Sequence, residues 1–273
     1  MKIDELSLDI AYLREQGYDG AAAMSGKFKG VQAIIRQIAP SDLYVHCANH
    51  CLNLALCKSP ELASIRNASG TIEAAYNFFN TPKRQLCLEQ YVDETLTEKH
   101  KLKMLNPTRW IERHTSVSTF FDLQLYIIQA LDEISNWEDG NTASSATRLL
   151  RAIKTCEFNT SLAILNQILS YTLSLSQYLQ SQNLDLIAAM KYAEEVVEVL
   201  KSLCQSADQN FSILWKEIER NAEKLDFELA ISRVCGKQTK RSNAGAGDAD
   251  MTVEKYFRIN IFIPFLDSVL SQI

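Results

Sequence analysis

From residue 110 onward, apolar positions recur with the three-to-four spacing of amphipathic helices. Val117, Phe120, Phe121, Gln124, Ile128 and Leu131 share one face, as do Ala146, Leu149, Leu150 and Ile153. Leu162, Leu165, Leu169 and Leu173 make a further stripe, followed by Ala193, Val196, Val197, Leu200 and Leu203. The clearest stripe is Phe211, Leu214, Trp215, Ile218, Ala222, Leu225 and Leu229. Earlier, Ile72, Ala75, Tyr76 and Phe79 predict a helix that Asn80-Thr-Pro82 ends, and residues 81–112 are charged and less regular. Asp139-Gly-Asn-Thr and Ser181-Gln-Asn read as turns, and Gly236 to Asp250 as a flexible loop. The stretch from Tyr256 reads as extended, turning helical after Pro264, with Phe265, Leu266, Val269, Leu270 and Ile273 on one face.

The first sixty residues carry a different pattern. Part of Ile10 to Tyr18 reads as a strand that ends at Asp19. Gly20 to Ala39 reads as one helix, with Val31, Ile34, Ile35 and Ile38 on its apolar face and Pro40 closing it. Leu43 to His46 is a compact apolar run that suits a buried strand, and helical spacing resumes at Cys47. Two strands joined by such a helix are expected to be parallel, with a right-handed crossover. The fold class is therefore predominantly α with a small parallel β unit. Asp19 stands where a strand hands over to a helix, the edge at which ligands collect in open α/β sheets.

Composition narrows the function classes. The 273 residues are 47% hydrophobic, enough for a buried core, with a net charge of −5 and a pI near 5.5. That balance argues against a uniformly basic nucleic-acid binder but permits a local basic patch. No run of about 18 apolar residues occurs, so no membrane partner is expected. No charged-then-apolar leader follows Met1, and the seven cysteines do not have the spacing of a secreted disulfide scaffold. An intracellular, reducing compartment fits, with most cysteines as small core residues.

Three groups carry candidate chemistry. Asp19 is one carboxylate, whereas phosphoryl transfer on Mg²⁺ needs two or three converging on the metal. The competing reading of Asp19-Gly20 is a turn or helix cap. His46, Cys47, His50 and Cys51 have zinc-ligand types, and Cys47 and His50 have C-x-x-H spacing. No second compact ligand pair lies nearby, which favours a structural motif with Cys47 buried and His50 hydrogen-bonded. Arg109 and Trp110 lie in a basic segment, with Lys99, Lys101, Lys103, Arg109 and Arg113 against Glu98 and Glu112. A cation beside an indole can hold a phosphate and stack on an unpaired base; the plainer reading packs Trp110 at a helix start. Lys237, Lys240 and Arg241 form a second basic stretch. No P-loop or dinucleotide fingerprint occurs, and no small-molecule substrate is expected.

Gln16-Gly-Tyr-Asp-Gly-Ala-Ala-Ala-Met-Ser-Gly-Lys27, Gly30-Val-Gln32 and Tyr44-Val-His-Cys-Ala-Asn-His50 with Leu52-Asn-Leu54 resemble hAT-superfamily DNA transposases. Thr108-Arg-Trp110, Glu157-Phe158, Leu175-Ser-Gln-Tyr-Leu-Gln180, Tyr256-Phe-Arg258 and Pro264-Phe-Leu-Asp267 extend the resemblance over nearly the whole chain. It is nearest to domesticated relatives of the MYM-type zinc-finger kind. The resemblance implies a partial ribonuclease-H-like core over residues 1–58, an all-α insertion over 59–250, and the start of a return to the core over 251–273. It makes Asp19 the second acidic residue of an Asp–Asp–Glu triad and a Mg²⁺ ligand. It places Cys47 and His50 on the family's C-x-x-H element, and Arg109 and Trp110 on the element that holds transposon-end DNA.

Of the three catalytic carboxylates the resemblance finds one. Asp4 and Asp9 lie too close to Asp19 to be the first, and the family's Glu falls beyond the Pro264 block. The chain by itself is then expected not to cut DNA, and Mg²⁺ is a cofactor only of a completed core. The expected function is a transposase-derived fragment with residual DNA or protein binding. The alternatives are part of an active cut-and-paste transposase, or a helical protein-interaction module in transcriptional regulation. Homo-oligomerisation and a nuclear location are further expectations, the latter from the family.

Overall fold

The computed structural model describes residues 9–18, 20–47, 62–92, 101–105, 110–179, 181, 185–231 and 251–271. The chain divides into two compact units, Met1–Ala55 and Leu56–Ile273.

In the N-terminal unit, Asp9 caps a single 3-10 turn, Ile10–Tyr12, by accepting from the Ala11 N–H at 2.9 Å. Strand β1, Glu15–Tyr18, pairs in parallel with β2, Leu43–His46. The register runs from Glu15 opposite Leu43 to Tyr18 opposite His46. The connection is not the single helix expected from Gly20 to Ala39. It breaks into α1, Ala22–Ser25, and α2, Val31–Ile38. The break has a steric cause. Gly30 packs directly on Gly26, and a Cβ on Gly30 would stand 2.4 Å from the Gly26 nitrogen. Only glycine permits that backbone approach.

Among the described residues of this unit the large buried side chains are polar rather than aliphatic. Gln16, Gln32 and Asp42 are buried, while Ile34, Ile38, Leu43 and Val45 are exposed. The Gln16 amide donates to the Gln32 carbonyl at 3.1 Å and to Asp42 Oδ2. The Gln32 amide donates to the carbonyls of Ser25 at 3.1 Å and Gly26 at 3.3 Å. The expected burial of β2 and of the isoleucine face is thus corrected. A parallel strand normally hides both faces under helices, and nothing among the described residues of this unit covers Leu43 or Val45.

The second unit is helical. Its elements are α3 (Ala63–Phe79), α4 (Pro82–Tyr91), α5 (Trp110–Ile134), α6 (Gly140–Ile153), α7 (Cys156–Tyr178), α8 (Leu186–Gln205) and α9 (Ala207–Leu225). After these come α10 (Val253–Phe257), a π-helical turn (Arg258–Phe262) and α11 (Ile263–Leu270). Helix α7 is buried on nearly all sides and packs against α3, α5, α6, α8 and α9, so it is the axis of the unit. Its N-terminus is capped by Thr155, which accepts from the Phe158 N–H at 3.2 Å. Gln124 sits within the apolar face of α5 because Asn159 of α7 accepts its amide at 2.6 Å.

Several sequence readings are corrected here. Residues 82–91 are helical, with Pro82 at the helix start, where its missing N–H costs nothing. Asp139-Gly140 is not a free turn; Asp139 caps α6 through the Asn141 N–H at 3.2 Å. Helix α9 stops at Leu225, short of Leu229, because Asp226 adopts a left-handed conformation, φ 54°. The stretch around Tyr256 is helical from Val253 rather than extended. Pro264 is accommodated by a register slip: Ile263 N–H donates to the Arg258 carbonyl, an i→i−5 bond. That turn carries Phe262 against Phe211, ring centroids 5.2 Å apart, while Phe257 stacks on Trp215 at 6.1 Å.

Candidate functional site

The geometry around Asp19 begins with the strand pair. Asp19 itself lies outside the described residues, between Tyr18, the last residue of β1, and Gly20. The Tyr18 carbonyl accepts from the Cys47 N–H at 3.0 Å, extending the ladder one step beyond β2. Gly20 then meets Ser25, whose hydroxyl donates to the Gly20 and Ala21 carbonyls, each at 3.1 Å. The carboxyl ends of both strands therefore converge where the motif places Asp19. Sequence reasoning missed what supports this edge. Gln16 and Gln32 lie inside the quoted motif, and their amides join β1, α2 and the α1–α2 turn.

The described carboxylates of this unit do not make a metal centre. Asp9 caps the 3-10 turn, Glu15 is exposed on β1, and Asp42 is buried against Gln16. Among the described residues no group of three or more His, Cys, Asp or Glu side chains is arranged to hold a metal. Nothing described here fits Mg²⁺. Cys47 carries an exposed free thiol, which corrects the expectation that it is buried; it follows the uncovered β2. His50, its C-x-x-H partner, lies outside the described residues.

Arg109 also lies outside the described residues, and Trp110 is the first residue of α5. One turn on, Arg113 is buried, and its guanidinium donates to Ser69 Oγ of α3 at 3.1 Å. Its Nε has no hydrogen-bond partner among the described residues. The preceding segment is anchored from both sides. Leu102 and Leu105 are buried, and Ser116 Oγ donates to the Met104 carbonyl at 2.5 Å. Lys101 and Lys103 remain exposed, with Lys101 3.6 Å from Glu89. The start of α5 is thus held on α3 by a buried cation while lysines flank it at the surface.

The other described thiols, Cys87, Cys156 and Cys204, are poor nucleophiles. Burial, with Glu133 nearby, pushes the Cys87 thiol up to about 11, and Tyr91 shares that carboxylate through a 2.8 Å hydrogen bond. Burial also raises Cys156, and burial with Asp267 beside it raises Cys204. No helix among the described residues is long and apolar enough to cross a membrane.

Against known proteins, the chain is 25% identical over 281 residues to the mouse (Mus musculus) 52 kDa repressor of the inhibitor of the protein kinase. The alignment covers 99% of this chain and 36% of that protein. The human (Homo sapiens) protein of the same name is 24% identical over 283 residues, covering 100% of this chain and 36% of its own length. The chain therefore spans little more than a third of these relatives. No family model matches it, and no solved structure matches it.

Proposed function

We propose that this chain is a hAT transposase-derived segment that binds DNA, as part of a nuclear regulator, without cutting it. The observation that carries this reading is the similarity along the whole chain to a protein named as a repressor. The motif blocks support it, because they recur in order from Gln16 to Asp267. The uncovered strand pair is consistent with a ribonuclease-H-like sheet whose other strands lie elsewhere in a longer protein, since two parallel strands alone are marginal. In this reading Asp19 is the second acidic position of the triad, Cys47 and His50 belong to the C-x-x-H element, and Mg²⁺ belongs only to a completed core.

Arg109 and Trp110 are the proposed DNA contacts at the start of α5. Arg109 would neutralise a phosphate, and Trp110 would stack on an unpaired base. The test is anisotropy of a labelled DNA hairpin with the intact chain. Trp110→Ala is expected to weaken binding about tenfold, on the scale of one lost base stack. Unchanged affinity and salt dependence in Arg109→Ala and Trp110→Ala would refute the assignment. Mg²⁺-dependent nicking that disappears in Asp19→Asn would overturn the claim that the chain does not cut.

A second reading, a protein-interaction module, is favoured by one observation: the helical unit exposes Ile187, Met190 and Ile213. Loss of partner binding in Ile187→Glu, with DNA binding intact, would select it.

A further inference from the structure

The N-terminal unit carries a groove of about 630 Å³ between strand β2 and α2 with the turn before it. Lys27, Phe28, Arg36 and Gln37 line one side, and Leu43 and Tyr44 the other. Its charge is one-sided. Between residues 20 and 47 the chain carries Lys27, Lys29 and Arg36, and a single acid, Asp42. All three cations are exposed, whereas Asp42 is buried with its carboxylate against Gln16. Lys27 and Arg36 line the groove and no acid does, and the described acid exposed on the sheet is Glu15, in register with Leu43. None of the three cations makes an ion pair with a described residue.

Phe28 stands between two of these lysines in sequence, and 90% of its surface is in contact with solvent. A phenyl ring held this far out makes no contribution to the unit's interior, and it borders the groove. Tyr44 is half-buried and stacked on Tyr18, ring centroids 6.3 Å apart and 23° between planes. It adds a second aromatic side chain to the groove lining. The one buried polar group of the lining, Gln32, spends its amide on the Ser25 and Gly26 carbonyls. The groove therefore offers cations and π-faces and has no spare directional donor on that side chain to read a small polar ligand.

We infer that this groove binds single-stranded nucleic acid, with Lys27 and Arg36 on successive phosphates and Phe28 stacked on an unpaired base. Cations along a groove with aromatic faces are the sequence-tolerant way to hold a single strand. A duplex keeps its bases stacked inside and leaves Phe28 without a partner. This site lies on a different compact unit from Arg109 and Trp110 and does not depend on their role.

The test uses the intact chain carrying Arg109→Ala and Trp110→Ala, so that it separates this groove from the contact proposed at α5. Anisotropy is read with a labelled dT oligonucleotide, the complementary duplex and polyglutamate as competitor. Phe28→Ala is expected to weaken single-strand binding about tenfold. Lys27→Gln with Arg36→Gln is expected to flatten the slope of log affinity against log salt by about 1.4, two phosphates at about 0.7 each. All three side chains are exposed, so the fold is expected to be kept, and circular dichroism checks it. Equal affinity for duplex and single strand, no effect of Phe28→Ala, or equal competition by polyglutamate would overturn the inference.

Discussion

Replacing Gln16 by Leu tests whether the polar network holds the strand pair together. Gln16 and Asp42 are both buried, the latter 1% exposed, and Gln16 Nε2 is the hydrogen-bond donor that Asp42 Oδ2 receives. The other carboxylate oxygen, Oδ1, has no partner among the described residues. Leu keeps the volume of Gln but removes the donor, so a buried carboxylate is left with neither oxygen satisfied. A hydrogen bond to a charged group contributes about 1.5–3 kcal/mol, and an orphaned buried acceptor costs a similar amount. At about 1.4 kcal/mol per factor of ten, local opening of the strand pair becomes roughly 10- to 150-fold more frequent. The double variant Gln16→Leu with Asp42→Leu removes both partners together and is expected to recover most of that loss. Hydrogen exchange reads the change locally, at the Leu43 and Cys47 amides, which donate to the Arg14 and Tyr18 carbonyls at 2.9 and 3.0 Å. Global melting is less informative in a chain of two units. If the double variant exchanges as fast as the single, the buried pair does not hold the strands together and the reasoning fails.

Three further outcomes are expected. Gly30→Ala forces the α1–α2 turn apart, because its Cβ would meet the Gly26 backbone at 2.4–2.9 Å; a loss of about 1–3 kcal/mol, seen as faster exchange of the Ala33 and Ile34 amides, checks it. Phe262→Ala, at a fully buried position against Phe211, is expected to cost about 3–5 kcal/mol in urea unfolding of the helical unit, and a cost under 1 kcal/mol would show that the π-helical turn is not docked. Iodoacetamide at pH 8 is expected to label exposed Cys47 before Cys87, whose rise from 9.0 to about 11 leaves about a hundredfold less thiolate. Since the folded value for Cys87 lies above the unfolded one, its stabilising contribution is present below pH 9 and is lost as pH rises toward 11. A urea midpoint that increases across that window would contradict the assignment.

The helical half was legible because its stripes answer to local chemistry. Phe211, Leu214, Trp215, Ile218, Ala222 and Leu225 repeat at helical spacing, and all six are buried in α9. Pro residues were harder to read. Pro82, read as the end of the preceding helix, opens α4, and the helix after Pro264 was expected while the helical turns before it were not. The isoleucine face of α2 misled for a different reason. Amphipathic spacing identifies an apolar face without saying what covers it, and Ile34 and Ile38 are exposed while Gln32 is buried.

Periodicity and turn chemistry in the chain itself determined a predominantly helical protein with a small parallel strand pair, one strand within Ile10 to Tyr18 and the other at Leu43–His46. The individual helices and strands are properties of residues within a few positions of each other, where spacing and backbone preference suffice, and the parallel pairing follows from the helical connection between the strands. Tertiary structure alone decided the rest. Gln16, Gln32 and Asp42 become a buried network, Arg113 reaches Ser69 across 44 positions, and Phe262 closes on Phe211. Each depends on groups far apart in sequence being brought within a few ångströms, and a hydrogen bond or ring contact has no signature until that distance is closed.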